Sequence, residues 1–117
     1  MSEFELVTNK LDRLLKEATD KLKSDELEEA YQSIINACDE DPNAPQPHNL
    51  LGIWYECNGK KDLARKHYRV AYVLDPTYKP ASENLERVST LFPYKSIPVN
   101  YGEEPAEDTI PNGNNKK

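Results

Sequence analysis

The sequence has little of what membrane spans, disulfide frameworks and β-folds require. Its 117 residues include four glycines, two cysteines and two histidines. No window approaches the roughly eighteen uncharged apolar residues of a membrane-spanning helix. Strand-like alternation of apolar and polar residues is absent up to Pro93. These shortages favour a helical chain and exclude a membrane-spanning one.

The residues that usually carry chemistry are also scarce. Cys38 and Cys57 lack the C-x-x-C spacing of a redox or zinc site and are interpreted as buried small hydrophobes. His48 and His67 are the only histidines, and the sequence contains neither a Gly-rich phosphate loop nor a nucleophile elbow. We therefore expect no catalytic residues, no metal site and no cofactor, and the chain is not expected to be an enzyme.

The charge balance is acidic, with 21 Asp and Glu against 15 Lys and Arg. Nucleic-acid affinity depends on clustered basic residues that release counterions, so neither nucleic acid nor a membrane is an expected partner. Residues 1–5 are acidic where a signal peptide would be basic, which favours a cytoplasmic location. A hydrophobic fraction of 37% and a charged fraction of 31% suit thin helical layers around one modest core.

Apolar residues recur at helical spacing in five stretches. The first covers residues of about 3 to 23, and the second follows a cap signal at Ser24 and Asp25. The third begins near Pro45 and ends before Gly59. The fourth ends at Asp75 and Pro76, and the fifth starts near Tyr78 and ends at Phe92 and Pro93. The pattern predicts an all-α protein of about five helices.

The second and fourth stretches are copies of each other. Ala30 and Ala64, Ala37 and Ala71, and Pro42 and Pro76 each lie 34 residues apart. The second repeat unit, residues 45–78, contains the third and fourth stretches. It resembles a tetratricopeptide repeat, although His48 stands where that family has an aromatic residue. Its matching positions are Leu51, Gly52, Tyr55, Ala64, Tyr68, Ala71 and Pro76. Gly52 and Ala64 are expected where the paired helices cross, because small side chains let the backbones approach.

The resemblance implies an antiparallel array of helix hairpins, a fragment of an α-solenoid. Repeats of about residues 11–44 and 45–78 would be followed by a capping helix, residues 79–92, and together they would form one domain, residues 1–92. The remainder, residues 93–117, is Pro-rich and is expected to be largely disordered.

In the resembling family the first helix of each pair lines a concave groove that holds peptides. Carried over to this sequence, the lining is Leu15, Thr19, Leu22, Gln46, Asn49, Leu50, Ile53, Glu56, Glu83 and Arg87. The basic clamp with which some members hold chaperone tails is not recognisable, and Trp54 is interpreted as a core residue. The implied function is an adaptor that binds a peptide or helix of another protein.

Self-association is the alternative. Stacked repeats usually need about three units to bury a continuous core, and this chain has two and a half. A second molecule of the same chain could complete the array and form a homodimer. Phe4 and Val7 of the long first helix would then make the contact.

The tail contains one apolar cluster, formed by Tyr94, Ile97, Val99 and Tyr101. Pro98 disfavours a helix there. Two hypotheses follow: residues 94–101 lie in extended form against the helices, completing the core or occupying the groove, or they form a loose linker.

Overall fold

The computed structural model describes residues 3–90 and 98–103, with side chains from residue 10 onward. Its helices are α1 (Glu3–Lys23), α2 (Leu27–Glu40), α3 (Pro45–Cys57), α4 (Lys61–Leu74) and α5 (Lys79–Ser89). No strand occurs among these residues. The predicted all-α class with about five helices is confirmed. Helix α5 ends earlier than predicted, because Thr90 already has extended backbone.

The helices pack as successive hairpins. Helix α1 packs on α2, and α3 packs on α4. A linker of only three residues joins the two helices of each pair, which makes them run antiparallel. Helix α3 also contacts both α1 and α5, so α1, α3 and α5 form one layer, with α2 and α4 behind it. None of the helices in the described part of the chain is long and apolar enough to cross a membrane.

The 34-residue repeat of the sequence is present in the helix boundaries. Helices α2 and α4 are both 14 residues long, and α4 begins and ends 34 positions after α2. The turns that follow them match as well, because Asp41 accepts the backbone N–H of Asn43 at 3.1 Å and Asp75 accepts that of Thr77 at 3.0 Å. The hydrogen bonds from Thr77 lower the pKa of Asp75.

The ends of α1 and α3 are also equivalent. Each helix closes with a left-handed residue, Asp25 (φ 62°) or Gly59 (φ 73°), and the next backbone N–H bonds a carbonyl five residues back at 2.9 Å. This is the Schellman arrangement. The prediction that Ser24 and Asp25 cap α2 was therefore wrong: both belong to the end of α1, and the Ser24 hydroxyl donates to the Asp20 carbonyl at 2.9 Å.

A close contact between α3 and α4 fixes the second hairpin. Tyr68 is completely buried with its ring against Gly52, and a Cβ added at Gly52 would lie 2.8 Å from Tyr68 Cζ. Ala64, one α4 turn earlier, is completely buried too. Of the other repeat positions, Leu51 and Ala71 are buried, Tyr55 is half-buried and Pro76 is exposed.

The tryptophan and the two cysteines differ in burial. Trp54 is half-buried, and its indole N–H donates to the Leu27 carbonyl at 2.7 Å, which ties the two hairpins together. Cys38 is half-buried, whereas Cys57 is exposed at the end of α3, so its interpretation as a buried hydrophobe was wrong.

His48 takes part in a stack of rings, and its Nδ1 lies 3.5 Å from Nδ1 of His67. Its imidazole lies parallel to that of His67, with ring centroids 5.7 Å apart, and His67 in turn stacks on Tyr55 at 5.3 Å. Burial lowers the pKa of both imidazoles, and the neighbouring His48 lowers that of His67 further. The stack fills the hairpin interface where the resembling family has an aromatic residue.

The two helix ends give a matched test. We expect Asp25→Gly to stabilise the fold by about 0.5 kcal/mol, because glycine adopts the left-handed conformation without steric cost. Gly59→Asp should destabilise it by about 1 kcal/mol for the opposite reason. Chemical denaturation of both variants checks this, and shifts of the midpoint in the same direction would contradict the equivalence of the two ends.

The contact between Gly52 and Tyr68 predicts a change of sign. Replacing glycine by alanine within a helix normally favours folding by about 1 kcal/mol. Here the methyl group has no space, so Gly52→Ala should cost about 1–3 kcal/mol. Glu86→Ala on the exposed side of α5 is the control and should change the free energy of unfolding by less than about 0.5 kcal/mol. A stabilising Gly52→Ala would show that the ring does not close on the glycine.

Candidate functional site

The layer of α1, α3 and α5 forms a groove, and part of the chain's own tail lies in it. Residues 98–103, which we call the docked segment, are non-helical and begin nine residues after the end of α5. Val99 and Tyr101 pack on the core between the helices. The sequence hypothesis that part of this region packs on the helices agrees with these contacts over residues 98–101; residues 94–97 lie outside the described residues.

Two buried amides hold the backbone of the docked segment at Asn100. Asn84 donates from Nδ2 to the Asn100 carbonyl at 2.8 Å and accepts the Asn100 N–H on Oδ1 at 2.9 Å. Asn49 donates to the same carbonyl at 3.1 Å and is joined to Asn84 by a 2.8 Å bond. Both asparagines have no exposed surface. The N–H and the C=O of one peptide residue are therefore both satisfied by side chains of the groove.

The side chain of Asn100 is held as well. Its Nδ2 donates to Glu83 Oε1 at 2.7 Å, at the rim of the groove on α5. Its Oδ1 accepts the backbone N–H of Gly102 at 2.9 Å, which turns the segment. The side chain thus contributes one contact to the groove and one to the shape of the segment.

The two residues on either side of Gly102 contact α1. The Lys23 ammonium lies 4.9 Å from the centre of the Tyr101 ring and 2.8 Å from the Glu103 carboxylate. The hydrogen bond to Glu103 raises the pKa of Lys23, and burial raises that of Tyr101. The ion pair is about half exposed, so it adds little stability and is screened by salt.

Gly102 lies where an added side chain would meet Tyr78. Its φ is +78°, and a Cβ there would overlap the Tyr78 hydroxyl and lie 3.2 Å from Tyr78 Cζ. Tyr78 is the residue before α5, and burial raises its pKa to about 12. A ligand with a side chain at this position would have to move the tyrosine or leave the groove.

A chain of polar contacts supports the amides from behind. Arg87 binds Glu56 through two hydrogen bonds, of 2.8 and 2.6 Å, and donates to Asn84 Oδ1 at 3.3 Å. Tyr68 donates its hydroxyl to the same Glu56 carboxylate. The hydrogen bonds that Arg87 donates to Glu56 raise the pKa of Arg87, and burial raises that of Tyr68. The two hydrogen bonds to Glu56 hold Arg87 in place, and Arg87 in turn orients Asn84 toward the docked segment.

The docked segment does not fill the groove. A cavity of about 420 Å³ remains on the α1 side, between Tyr101 and Gly102 and the helices. Its helical wall combines charged, polar and apolar side chains: Asp12, Leu15, Lys16, Thr19, Gln46 and Leu50. Gln46 Oε1 is buried without a hydrogen-bond partner in the described part of the chain. The open side of the groove could therefore accommodate a ligand larger than the segment.

The residues expected to line the groove fall into four groups. Asn49 and Glu83 bond the docked segment, and Leu15, Thr19, Gln46 and Leu50 border the cavity. Glu56 and Arg87 lie behind the amides. Leu22 and Ile53 belong to the buried core on which Val99 and Tyr101 pack.

Sequence reasoning missed Asn84, Tyr78 and Lys23. Asn84 had a detectable signal, because it lies at core spacing between Ala81 and Val88, where a polar residue is unusual. Tyr78 and Lys23 had none, since their roles depend on where the docked segment returns to the helices.

Comparison with known proteins gives no assignment. No protein-family model, no curated protein and no solved structure matches the chain.

Proposed function

We propose that this chain is an adaptor that binds a non-helical segment of another protein in the groove of α1, α3 and α5. The observation that carries the proposal is the pair of buried asparagines, which satisfies both the N–H and the C=O of Asn100. Every peptide has these groups, and leaving one unpaired in a buried place costs about 1–3 kcal/mol. An amide pair directed at a backbone therefore favours peptide as the class of ligand.

The rest of the groove supports the same class of ligand. The cavity is lined by the apolar Leu15 and Leu50 together with the polar or charged Lys16, Thr19 and Gln46. Such a mixed wall can accept both apolar and polar side chains from a peptide, as binding sites with a few placed polar groups do. The rim carries both signs of charge, with Lys23 on one side and Glu83 on the other.

We further propose that the array belongs with the tetratricopeptide-like hairpin repeats that the sequence resembles. The support is the 34-residue spacing of α2 and α4 and of the two left-handed residues that end α1 and α3. Arrays of that kind use the layer formed by the first helices of their hairpins for binding. In this chain that layer contains the asparagine pair.

Selection of peptides tests the proposal. A random peptide library displayed on phage is selected on the immobilised full chain, and the binding of selected peptides is then measured on Asn84→Leu. This change removes two hydrogen bonds to the ligand backbone and the one that joins Asn84 to Asn49, so the affinity should fall about tenfold or more. Glu86→Gln, on the same helix but exposed, is the control and should leave binding unchanged.

Peptides that bind Asn84→Leu as tightly as the original chain would place the ligand outside the groove. Failure to select any peptide from the library would count against the adaptor function itself.

Self-association is the second candidate, and an exposed apolar strip on α4 supports it. Val70, Tyr72 and Val73 are 39%, 46% and 76% exposed. The proposed contact through Phe4 and Val7 lies outside the described side chains. If α4 joins two copies, light scattering at micromolar concentration should show a dimer that Val73→Glu dissociates. A monomer at every concentration would remove this candidate.

A further inference from the structure

We propose that residues 98–103 are an internal ligand, which occupies in cis the same groove of α1, α3 and α5 that binds the partner peptide. A partner peptide must then compete with them and needs their chemistry: an apolar residue, Asn, an aromatic residue, Gly and an acidic residue in that order. This inference rests on the proposed function and adds to it the class of sequence that the groove selects. It also implies that the free chain is held in a self-occupied state.

The docked segment makes contacts of the two kinds that a peptide ligand needs. The asparagine pair holds backbone at Asn100, and this contact is independent of sequence. Other contacts select side chains. Glu83 accepts a hydrogen bond from the Asn100 side-chain amide, and Lys23 lies against Tyr101 and Glu103. Tyr78 occupies the space that a side chain at Gly102 would need. Gly102 is the strictest position, and the contacts of Lys23 with Tyr101 and Glu103 select the residues on either side of it.

The segment is also attached in a way that permits exchange. The buried core cluster consists of helix residues, and Val99 and Tyr101 are only partly buried at its edge. The pair of Lys23 and Glu103 is about half exposed. Such contacts are individually weak, and the segment stays in place because it belongs to the same chain, which gives it an effective concentration of the order of millimolar. A partner of moderate affinity can displace it.

Gly102 offers a way to release the segment without altering the groove. Gly102→Ala adds a methyl group that overlaps the Tyr78 hydroxyl at a left-handed residue. Gly59→Ala is a matched control, since Gly59 has nearly the same φ, +73°, but nothing within 4 Å of an added Cβ. Both variants carry the same backbone strain, and only the first disturbs the docked segment.

The test measures binding of a fluorescein-labelled peptide, Pro-Val-Asn-Tyr-Gly-Glu with blocked ends, to full-length variants by fluorescence anisotropy. Gly102→Ala should bind the peptide about tenfold or more tightly than the original chain, because the internal competitor is weakened. Gly59→Ala should bind it like the original chain. Adding Asn84→Leu to Gly102→Ala should abolish the gain, and a peptide with Ala in place of its Gly should bind Gly102→Ala at least about tenfold less tightly.

A second release variant, Tyr101→Ser, removes the ring on Lys23 and should give the same gain, which guards against a folding defect peculiar to Gly102→Ala. Equal affinity of the original chain and both release variants overturns the inference. If peptides selected from the library still bind through Asn84 in that case, the proposed function survives alone. If neither the library nor the hexapeptide yields a ligand, both fail. A dimer of the original chain that Gly102→Ala dissociates would show docking in trans and would also overturn the inference.

Discussion

The close approach of Tyr68 to Gly52 is the contact on which the groove depends. Because glycine leaves space on α3, the Tyr68 ring is completely buried there and its hydroxyl reaches the Glu56 carboxylate. That carboxylate accepts two hydrogen bonds from Arg87 of α5. A packing constraint between two helices thereby determines where the third helix of the layer places its guanidinium.

The same contact determines the chemistry of the groove. Arg87 donates to Asn84, and Asn84 is paired with Asn49 on the neighbouring helix. Amides buried in this way lose water on every side, so their hydrogen bonds must be supplied by the protein or by a ligand. The docked segment supplies them with the backbone of Asn100. Because these polar groups are held in place before a ligand binds, little conformational entropy is lost on binding.

Particular residues show how far the sequence could be read. The helical period and Gly59 indicated the helices and one of their ends, because propensity and left-handed conformation are local properties. Asp25 misled, since a residue common at helix starts here adopts the left-handed conformation that ends α1. Cys57 was assigned to the core from its residue type, yet it lies at the exposed end of α3. Asn84 was overlooked, although its position between apolar residues was unusual.

By itself the sequence determined the all-α class, the five helices and the 34-residue repeat, because side-chain spacing along one helix and small residues at a crossing are properties of the chain alone. It also indicated the layer that forms the groove. Only the tertiary structure decided that Asn49 and Asn84 face one backbone, and that this backbone belongs to residues 98–103. Hydrogen bonds between residues 16 to 51 positions apart depend on the return path of the chain, and no local pattern encodes that path.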